Sequence, residues 1–208
     1  MNSSTGFALL VGIDHYENLG ESAELLGSRN DVLMWHWFCR QQLGIPPENI
    51  RMLTSPALDP KNDFGDDSVP SGALGEATEE GIRKGYVWLL ENMKGGQSPG
   101  LLTYSGHGLL LSSQVPALST STRKGDGTGA IALRDIGKAV QAAHAEEALT
   151  AVFDCCHVAA PPSKSTLRRS TGLSIGAADA TPIEDEDFNV SHRVFLASRP
   201  GQLDRERV

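Results

Sequence analysis

Gly100-Leu-Leu-Thr-Tyr-Ser-Gly-His-Gly108 and Ala148-Leu-Thr-Ala-Val-Phe-Asp-Cys-Cys-His157 are the two stretches that decide the fold of this chain. Each is a short apolar run of strand length that ends in reactive side chains. A helical pattern from about Leu133 to His144 separates them, so they are predicted to be parallel strands of one sheet. The carboxyl ends of parallel strands form one edge of a sheet, and such sheets bind ligands there. We therefore expect His107 and Cys156 to lie close together at that edge.

The rest of the chain repeats the alternation of strands and helices. A continuous apolar run predicts a further strand over Phe7–Ile13, and shorter stretches predict strands over Ile50–Leu53 and Arg193–Ala197. Helical spacings predict helices over Asn30–Leu43 and from a capping Thr78 through Leu90. Composition predicts a long surface loop over Thr54–Gly75 and a polar connection over Ser112–Gly129. The fold class is therefore α/β, in one domain with a mainly parallel central sheet covered on both faces.

Composition narrows the classes of protein to which the chain can belong. Its 208 residues carry a formal net charge of -8, which argues against nucleic-acid binding because that function needs a basic surface. Its three cysteines do not make a disulfide framework, so the chain is predicted to be reduced and cytoplasmic. The first apolar run is too short to span a bilayer, so no membrane partner is expected.

The imidazole and the thiol at the two strand ends predict a cysteine nucleophile with a proton-transfer partner, as in a peptidase or an acyl-transfer enzyme. Side chains alternate along a strand, so Cys156 would point with Asp154, and Cys155 would turn with Phe153 toward the core. The amides of Gly108 and Cys156 are candidate donors to an oxyanion. The alternative is a loop histidine and a buried structural thiol, which is the better interpretation of either residue alone.

Four motifs stand in order along the chain. They are Phe-Ala-Leu-Leu-Val-Gly-Ile-Asp-His-Tyr at 7–16, Leu-Leu-Gly-Ser-Arg-Asn-Asp at 25–31, Tyr-Ser-Gly-His-Gly at 104–108 and Asp-Cys-Cys-His at 154–157. Together they resemble the caspase-like peptidases, most closely the metacaspases and bacterial orthocaspases. The resemblance implies a three-layer caspase-like sandwich and a catalytic dyad of His107 and Cys156. Metacaspases usually carry Asp-Ser-Cys-His-Ser-Gly, whereas here Cys155 replaces the serine and Val158-Ala159 replaces the final Ser-Gly.

The same resemblance implies cleavage after Arg or Lys. In this family the acidic residue of the Asn-Asp motif, the aspartate two before the cysteine and small polar residues form the S1 pocket. By position these are Asp31, Asp154, Ser28 and Ser105, and by strand alternation Ser105 would point with His107. Two carboxylates in a partly buried pocket would pair with a guanidinium. The alternatives are a helix N-terminal carboxylate for Asp31 and a strand-end cap for Asp154.

The resemblance also implies a division of the chain into a large-subunit-like region at 1–160, a linker at 161–189 and the start of a small-subunit-like region at 190–208. Because this linker is often cut in the family, Lys164, Arg168 and Arg169 are candidate processing sites of a zymogen, and a solvated basic turn is the alternative. Family members continue past a segment like that at 195–203 into a final strand and helix, which this fold would lack. We therefore expect a truncated or processed fragment, or the catalytic part of a longer protein, with a small-subunit segment or a regulatory protein as a candidate partner.

No cofactor is required for this chemistry. Many metacaspases need calcium, but the acidic clusters Asp63–Asp67 and Glu184–Asp187 lack EF-hand spacing, so solvated loops are the preferred interpretation and calcium dependence stays open. Three contiguous ligands at Cys155-Cys156-His157 would strain metal coordination, so no metal site is predicted. Two functions remain: an Arg/Lys-specific cysteine endopeptidase acting on proteins or peptides, or a non-catalytic caspase-fold interaction module or regulatory fragment. The first is preferred because both members of the dyad are present.

Overall fold

The computed structural model describes residues 5–65, 69–111 and 115–155 and, for 194–196, the backbone. Its strands are β1 (Phe7–Ile13), β2 (Ile50–Ser55), β3 (Leu74–Glu76), β4 (Gly100–Ser105), β5 (Gly108–Leu110), β6 (Pro116–Leu118), β7 (Ile131–Ala132), β8 (Leu149–Asp154) and β9 (Val194–Leu196). Its helices are α1 (Ser28–Gln41), α2 (Pro60–Phe64), α3 (Glu79–Met93) and α4 (Leu133–Ala142). The predicted linker at 161–189 lies outside the described residues, as does the small-subunit-like region apart from the backbone of β9.

Six strands form one sheet in the order β3-β2-β1-β4-β8-β9, and every neighbouring pair in it is parallel. The chain builds outward from β1 to β2 and β3, then returns to add β4 on the other side of β1. Strand order therefore reverses between β1 and β4, and parallel sheets bind ligands at such a switch point. The predicted α/β class with a mainly parallel central sheet is confirmed.

Helices cover both faces of this sheet, because its central strands carry apolar residues on both sides. On one face lies the α1-face cluster, made of Ala8, Leu10, Val32, Cys39, Ile45, Ile50, Met52, Leu58 and Leu101. On the other lies the α3/α4-face cluster, which includes Leu9, Val11, Tyr16, Leu89, Met93, Leu102, Tyr104, Ile136, Val140, Phe153 and Cys155. Full burial of an aliphatic side chain contributes about 1.5–3 kcal/mol to the free energy of folding. The two clusters therefore hold the helices of both faces against the central sheet, which gives three layers.

The start of α1 depends on the end of β1. A Cβ atom at Gly12 would lie 2.2 Å from the carbonyl oxygen of Ser28, so only glycine lets the helix approach the strand this closely. Two residues later, the carboxylate of Asp14 accepts the amide hydrogens of Ser28 at 2.8 Å and Arg29 at 3.1 Å. This remote cap satisfies amides at the helix N-terminus and places its first turn against the sheet edge.

Local capping also sets the start of the next long helix. The side chain of Thr78 accepts the amide hydrogen of Gly81 at 3.0 Å, which confirms the predicted cap of α3. By contrast, the predicted loop at Thr54–Gly75 contains α2 and most of β3. Asp59 caps α2, and Pro60 occupies its first turn, so this Asp-Pro pair was the sequence signal for that helix.

A second, three-stranded sheet, of antiparallel order β5-β6-β7, branches off beyond β4 and was not predicted. Its strands are two or three residues long, too short for periodicity to reveal. Strand β6 lies within the stretch predicted to be a polar connection. The sheet matters for function because β5 begins directly after His107.

Candidate active site

Strand register brings Ser105 and Asp154 side by side at the carboxyl edge of the sheet. These two residues are the last of β4 and β8, and they are paired directly across the strands, which lie about 4.8 Å apart. Leu101 and Val152, at even spacing before them, pack in or against the α1-face cluster, so both side chains point toward the α1 face. Ser105 is buried, whereas Asp154 is exposed to solvent.

The first turn of α1 adds a second carboxylate at this edge. Ser105 Oγ donates a hydrogen bond of 2.5 Å to Asp31 Oδ2, across 74 positions of sequence. Asp14 accepts two amides at the start of α1, so Asp31 is not needed as a cap there. Its carboxylate instead contacts the sheet edge. Ser28 is buried in the same turn. The structure thus groups Asp31, Ser105 and Asp154, and we call this group the acidic side.

Arg29, a cation beside this group, is turned away from it. Its guanidinium binds Asp63 Oδ2 at 2.5 Å, and the same carboxylate oxygen accepts the amide hydrogen of Asp59 at 2.6 Å. This pairing ties α1 to α2 and neutralises Arg29. The acidic side therefore keeps its negative potential, which favours a cationic ligand.

The imidazole of His107 is held by two neighbours. Its Nε2 lies 2.9 Å from the carbonyl oxygen of Ala23, and its ring centroid lies 4.9 Å from that of Tyr16. A carbonyl oxygen can only accept, so Nε2 carries the proton in this contact. In the neutral ring Nδ1 is then the unprotonated nitrogen, the one that could take a proton from a thiol.

Two buried phenols fix the backbone around His107. The amide of His107 donates to Tyr16 Oη at 2.7 Å, and Tyr104 Oη lies within hydrogen-bond distance of the carbonyl oxygens of His107, at 2.8 Å, and Ser119, at 2.7 Å. Burial raises the pKa of both tyrosines, so both phenols stay neutral and keep their hydroxyl hydrogens. A Cβ atom at Gly106 would lie 2.8 Å from Tyr16 Oη, so this position has room only for glycine.

The path from β4 to His107 differs from the extended path assumed in the sequence analysis. β4 ends at Ser105, the Gly106 amide donates to the carbonyl of Asp154 at 3.1 Å, and β5 starts another sheet at Gly108. Ser105 consequently contacts Asp31, while the ring of His107 packs on Tyr16 from the α3/α4-face cluster.

The described residues reach the end of β8 but stop one short of Cys156. Cys155 is 3% exposed and belongs to the α3/α4-face cluster together with Phe153, in agreement with its assignment as a packing residue. Gly108 is buried and pairs with Leu118 across β5 and β6. The predicted nucleophile and oxyanion donor Cys156 lies outside the described residues, as do the candidate processing sites Lys164, Arg168 and Arg169.

Within the described ranges, no group of three or more His, Cys, Asp or Glu side chains could hold a metal ion. Of the acidic cluster at 63–67, Asp63 is paired with Arg29, and Asp66 and Asp67 lie outside the described residues. The cluster Glu184–Asp187 lies outside them as well. Among the helices of the described part, none has the length and apolar character that a membrane span needs.

Sequence reasoning missed three residues that hold this site: Asp14, Tyr16 and Ala23. Asp14 and Tyr16 do have a signal, because they follow β1 at the same sheet edge as His107. Ala23 acts through its backbone carbonyl, which every residue possesses, so composition and spacing cannot reveal it.

Comparisons with known proteins agree with this architecture. A family model described as the metacaspase, peptidase C14 domain, matches residues 7–161. Metacaspase-2 of Trypanosoma brucei brucei is 31% identical over 160 residues, which cover 72% of this chain and 40% of that protein. Metacaspase-3 of the same organism is also 31% identical, with 72% and 39% covered. Metacaspase-1A of Aspergillus oryzae is 27% identical, with 74% and 35% covered. The matched region thus spans about two fifths or less of the length of these curated relatives.

Proposed function

The chain belongs to the metacaspase family of cysteine peptidases, and from that premise we propose that it is an endopeptidase that cleaves after Arg or Lys through Cys156 and His107. The contact between Ser105 Oγ and Asp31 Oδ2, with Asp154 beside it, is the observation that supports the specificity. It places the Asp31 carboxylate at the edge where Asp154 ends β8 and His107 follows β4. A guanidinium or ammonium group is the complementary ligand for such a pair.

Acylation follows from the fixed tautomer of His107. Nδ1 takes the proton of the Cys156 thiol, and the thiolate sulfur attacks the carbonyl carbon of the scissile bond. The amides of Gly108 and Cys156 donate to the oxyanion that forms. The tetrahedral intermediate then collapses to a thioester, the C–N bond breaks, and the imidazolium gives its proton to the leaving amine.

Deacylation uses the same groups in reverse. His107 Nδ1 removes a proton from water as the water oxygen attacks the thioester, the C–S bond breaks, and the imidazolium returns the proton to the Cys156 thiolate. Throughout, Nε2–H donates to the carbonyl of Ala23, which stabilises the imidazolium each time it forms. The mechanism needs no metal or organic cofactor, and calcium would act on assembly or activation rather than on bond cleavage.

Activation by cleavage belongs to the same proposal. Lys164, Arg168 and Arg169 follow Cys156 within 13 residues, and each offers the basic side chain that the acidic side would select. Cleavage there by a second copy of the protein or by another protease would convert a cytoplasmic zymogen into the active form. A small-subunit segment would complete the active protein.

The test is peptide cleavage with substrates that differ only in the residue before the scissile bond. We expect turnover with Arg and Lys and none with Asp, and loss of turnover in Cys156→Ala. His107→Ala is expected to reduce kcat by about 10²–10⁴-fold. His15→Ala is the matched control, because His15 is exposed at the same edge and binds Glu24. Absence of cleavage with and without added calcium, or turnover lost in Cys155→Ala but kept in Cys156→Ala, contradicts the proposal.

A further inference from the structure

A pocket of about 420 Å³ has His107 on its wall but none of Asp31, Ser105 and Asp154. Its lining comes from three segments, at 19–23, 107–111 and 123–127. Leu19, Leu109 and Leu111 supply apolar walls, and Arg123 supplies a cation. Since the His107 ring packs on Tyr16 and Ser105 contacts Asp31, the pocket lies on the other flank of the histidine from the acidic side, and its lining includes a cation that the acidic side lacks.

Hydrogen bonds to backbone carbonyl oxygens hold the walls of this pocket. The loop after β1 is joined to the 120s segment by the amide of Glu17, which donates to Ser121 at 2.9 Å, and by Asn18 Nδ2, which donates to Thr122 at 3.0 Å. Within that segment, the amide of Lys124 donates to the carbonyl oxygen of Thr128 at 2.8 Å. The pocket is thus formed before a ligand arrives, which lowers the entropic cost of binding.

The guanidinium of Arg123 is short of acceptors. Its Nη1 makes one long bond of 3.5 Å to Ser119 Oγ, and its Nε is buried with no hydrogen-bond partner among the described residues. In the described part of the chain it forms no ion pair within 4.0 Å. Asp126 also lines the pocket, but it is exposed, and its Oδ1 accepts the amide hydrogen of Thr128 at 2.9 Å. Because Arg123 lines the pocket, a carboxylate bound there would supply acceptors that its guanidinium lacks.

The chemistry of the dyad decides what occupies this pocket. The imidazolium gives its proton to the leaving amine, so the part of the substrate after the scissile bond must lie against His107. The acyl part, with its basic side chain, lies on the acidic side. We propose that the pocket binds the first two residues after the scissile bond and that Arg123 selects an acidic side chain among them. This inference rests on the proposed function and adds a second specificity to it.

Glutamate offers this pocket both an apolar stem and a carboxylate. Its two methylene groups can lie along Leu109 and Leu111, and its carboxylate can accept from two guanidinium nitrogens at once. The preferred substrate therefore carries opposite charges across the scissile bond, basic before it and acidic after it. The acidic side would bind the basic residue and Arg123 the acidic one, on opposite flanks of His107.

The experiment uses internally quenched peptides with Arg before the scissile bond and Glu, Gln or Lys at each of the two following positions. With the unaltered chain we expect kcat/KM for the best Glu peptide to exceed that of its Gln counterpart about tenfold. In Arg123→Gln this ratio falls below about twofold, and in Arg123→Glu the preference shifts to Lys. Arg134→Gln is the matched control, because Arg134 is half-exposed on α4, and it keeps the tenfold ratio.

Two outcomes separate this inference from the proposed function. If the Arg peptides are cleaved but the ratio of Glu to Gln is the same in Arg123→Gln, the inference is overturned and the proposed function stands. If no peptide is cleaved, the proposed function fails, and binding decides the inference separately. In that arm, Cys156→Ala with and without Arg123→Gln is titrated with fluorescent Glu and Gln peptides, and equal affinities for the two peptides overturn it. Thermal unfolding of each variant verifies that the chain is folded.

Discussion

The two flanks of His107 are built in different ways. The acidic side is made by strand register, because Ser105 and Asp154 end neighbouring strands, and Asp31 reaches them from the first turn of α1. The histidine side, defined as His107 with Tyr16, Ala23 and the Arg123 pocket, is made by loops that meet over long sequence separations. In the proposed mechanism, specificity before the scissile bond would therefore depend on regular structure. Proton transfer and the contacts after the bond would depend on tertiary hydrogen bonds.

The largest effect that separates the two flanks is expected from Asp154→Asn. This change keeps the shape of the side chain but removes a charge from the acidic side. Loss of one charge-assisted hydrogen bond costs about 1.5–3 kcal/mol, so kcat/KM for Arg peptides should fall about 10–100-fold. The ratio of Glu to Gln after the scissile bond should stay the same, because Arg123 is untouched.

Steady-state kinetics with Arg peptides that carry Glu or Gln after the scissile bond measure both quantities. Asp135→Asn is the matched control, since Asp135 lies on α4 beside Arg134, and it should leave both unchanged. An unaltered kcat/KM for Arg peptides in Asp154→Asn would mean that Asp154 does not bind the basic side chain of the substrate. A changed Glu-to-Gln ratio would mean that the two flanks do not act independently.

A smaller effect, confined to the histidine side, is expected from Tyr16→Phe. The ring remains against His107, but the phenol oxygen that accepts the His107 amide hydrogen is lost. One such bond contributes about 1 kcal/mol, which corresponds to roughly a fivefold fall in kcat. Because Tyr16 acts as a positioning residue, KM for Arg peptides should change little.

The pH profile of kcat distinguishes positioning from simple loss of stability. If Tyr16 orients His107, the profile of Tyr16→Phe should shift along the pH axis, whereas partial unfolding would only lower its height. Tyr86→Phe is the control, since Tyr86 packs against the α3/α4-face cluster from the middle of α3. Equal kcat values and superimposable profiles for Tyr16→Phe and the unaltered chain would mean that Tyr16 does not orient His107.

The same contrast explains what the sequence could and could not predict. β1 was predicted with its observed bounds, because a buried parallel strand is a continuous apolar run. The grouping of Ser105 and Asp154 follows equally from period-two alternation once β4 and β8 are recognised. Asp14 as a remote cap, the Ala23 carbonyl and the β5-β6-β7 sheet depend on contacts between distant segments. Local pattern carries no information about such contacts, so these features were not predicted.

The smallest effect on activity is expected at Cys39, whose thiol lies in the α1-face cluster and is fully buried. Burial raises its pKa to about 12, so the thiol stays protonated and unreactive at neutral pH. In the unfolded chain the pKa is about 8.5. The folded state therefore retains a proton that the unfolded state loses between these values, and stability falls as pH rises through that window.

The slope from this one group is at most about 1.4 kcal/mol per pH unit. Urea unfolding at pH 8, 9 and 10 should show a steeper loss of stability for the unaltered chain than for Cys39→Ala, because titrations of all other groups are common to both. Equal slopes would mean that the Cys39 thiol ionises in the folded state. Alkylation at pH 8 should likewise be slow at Cys39 and fast at Cys156, since a reactive thiolate is expected only where His107 can take the proton. The reactive thiol would then be the one at the sheet edge. The Cys39 thiol, in the α1-face cluster beneath the acidic side, would stay unreactive.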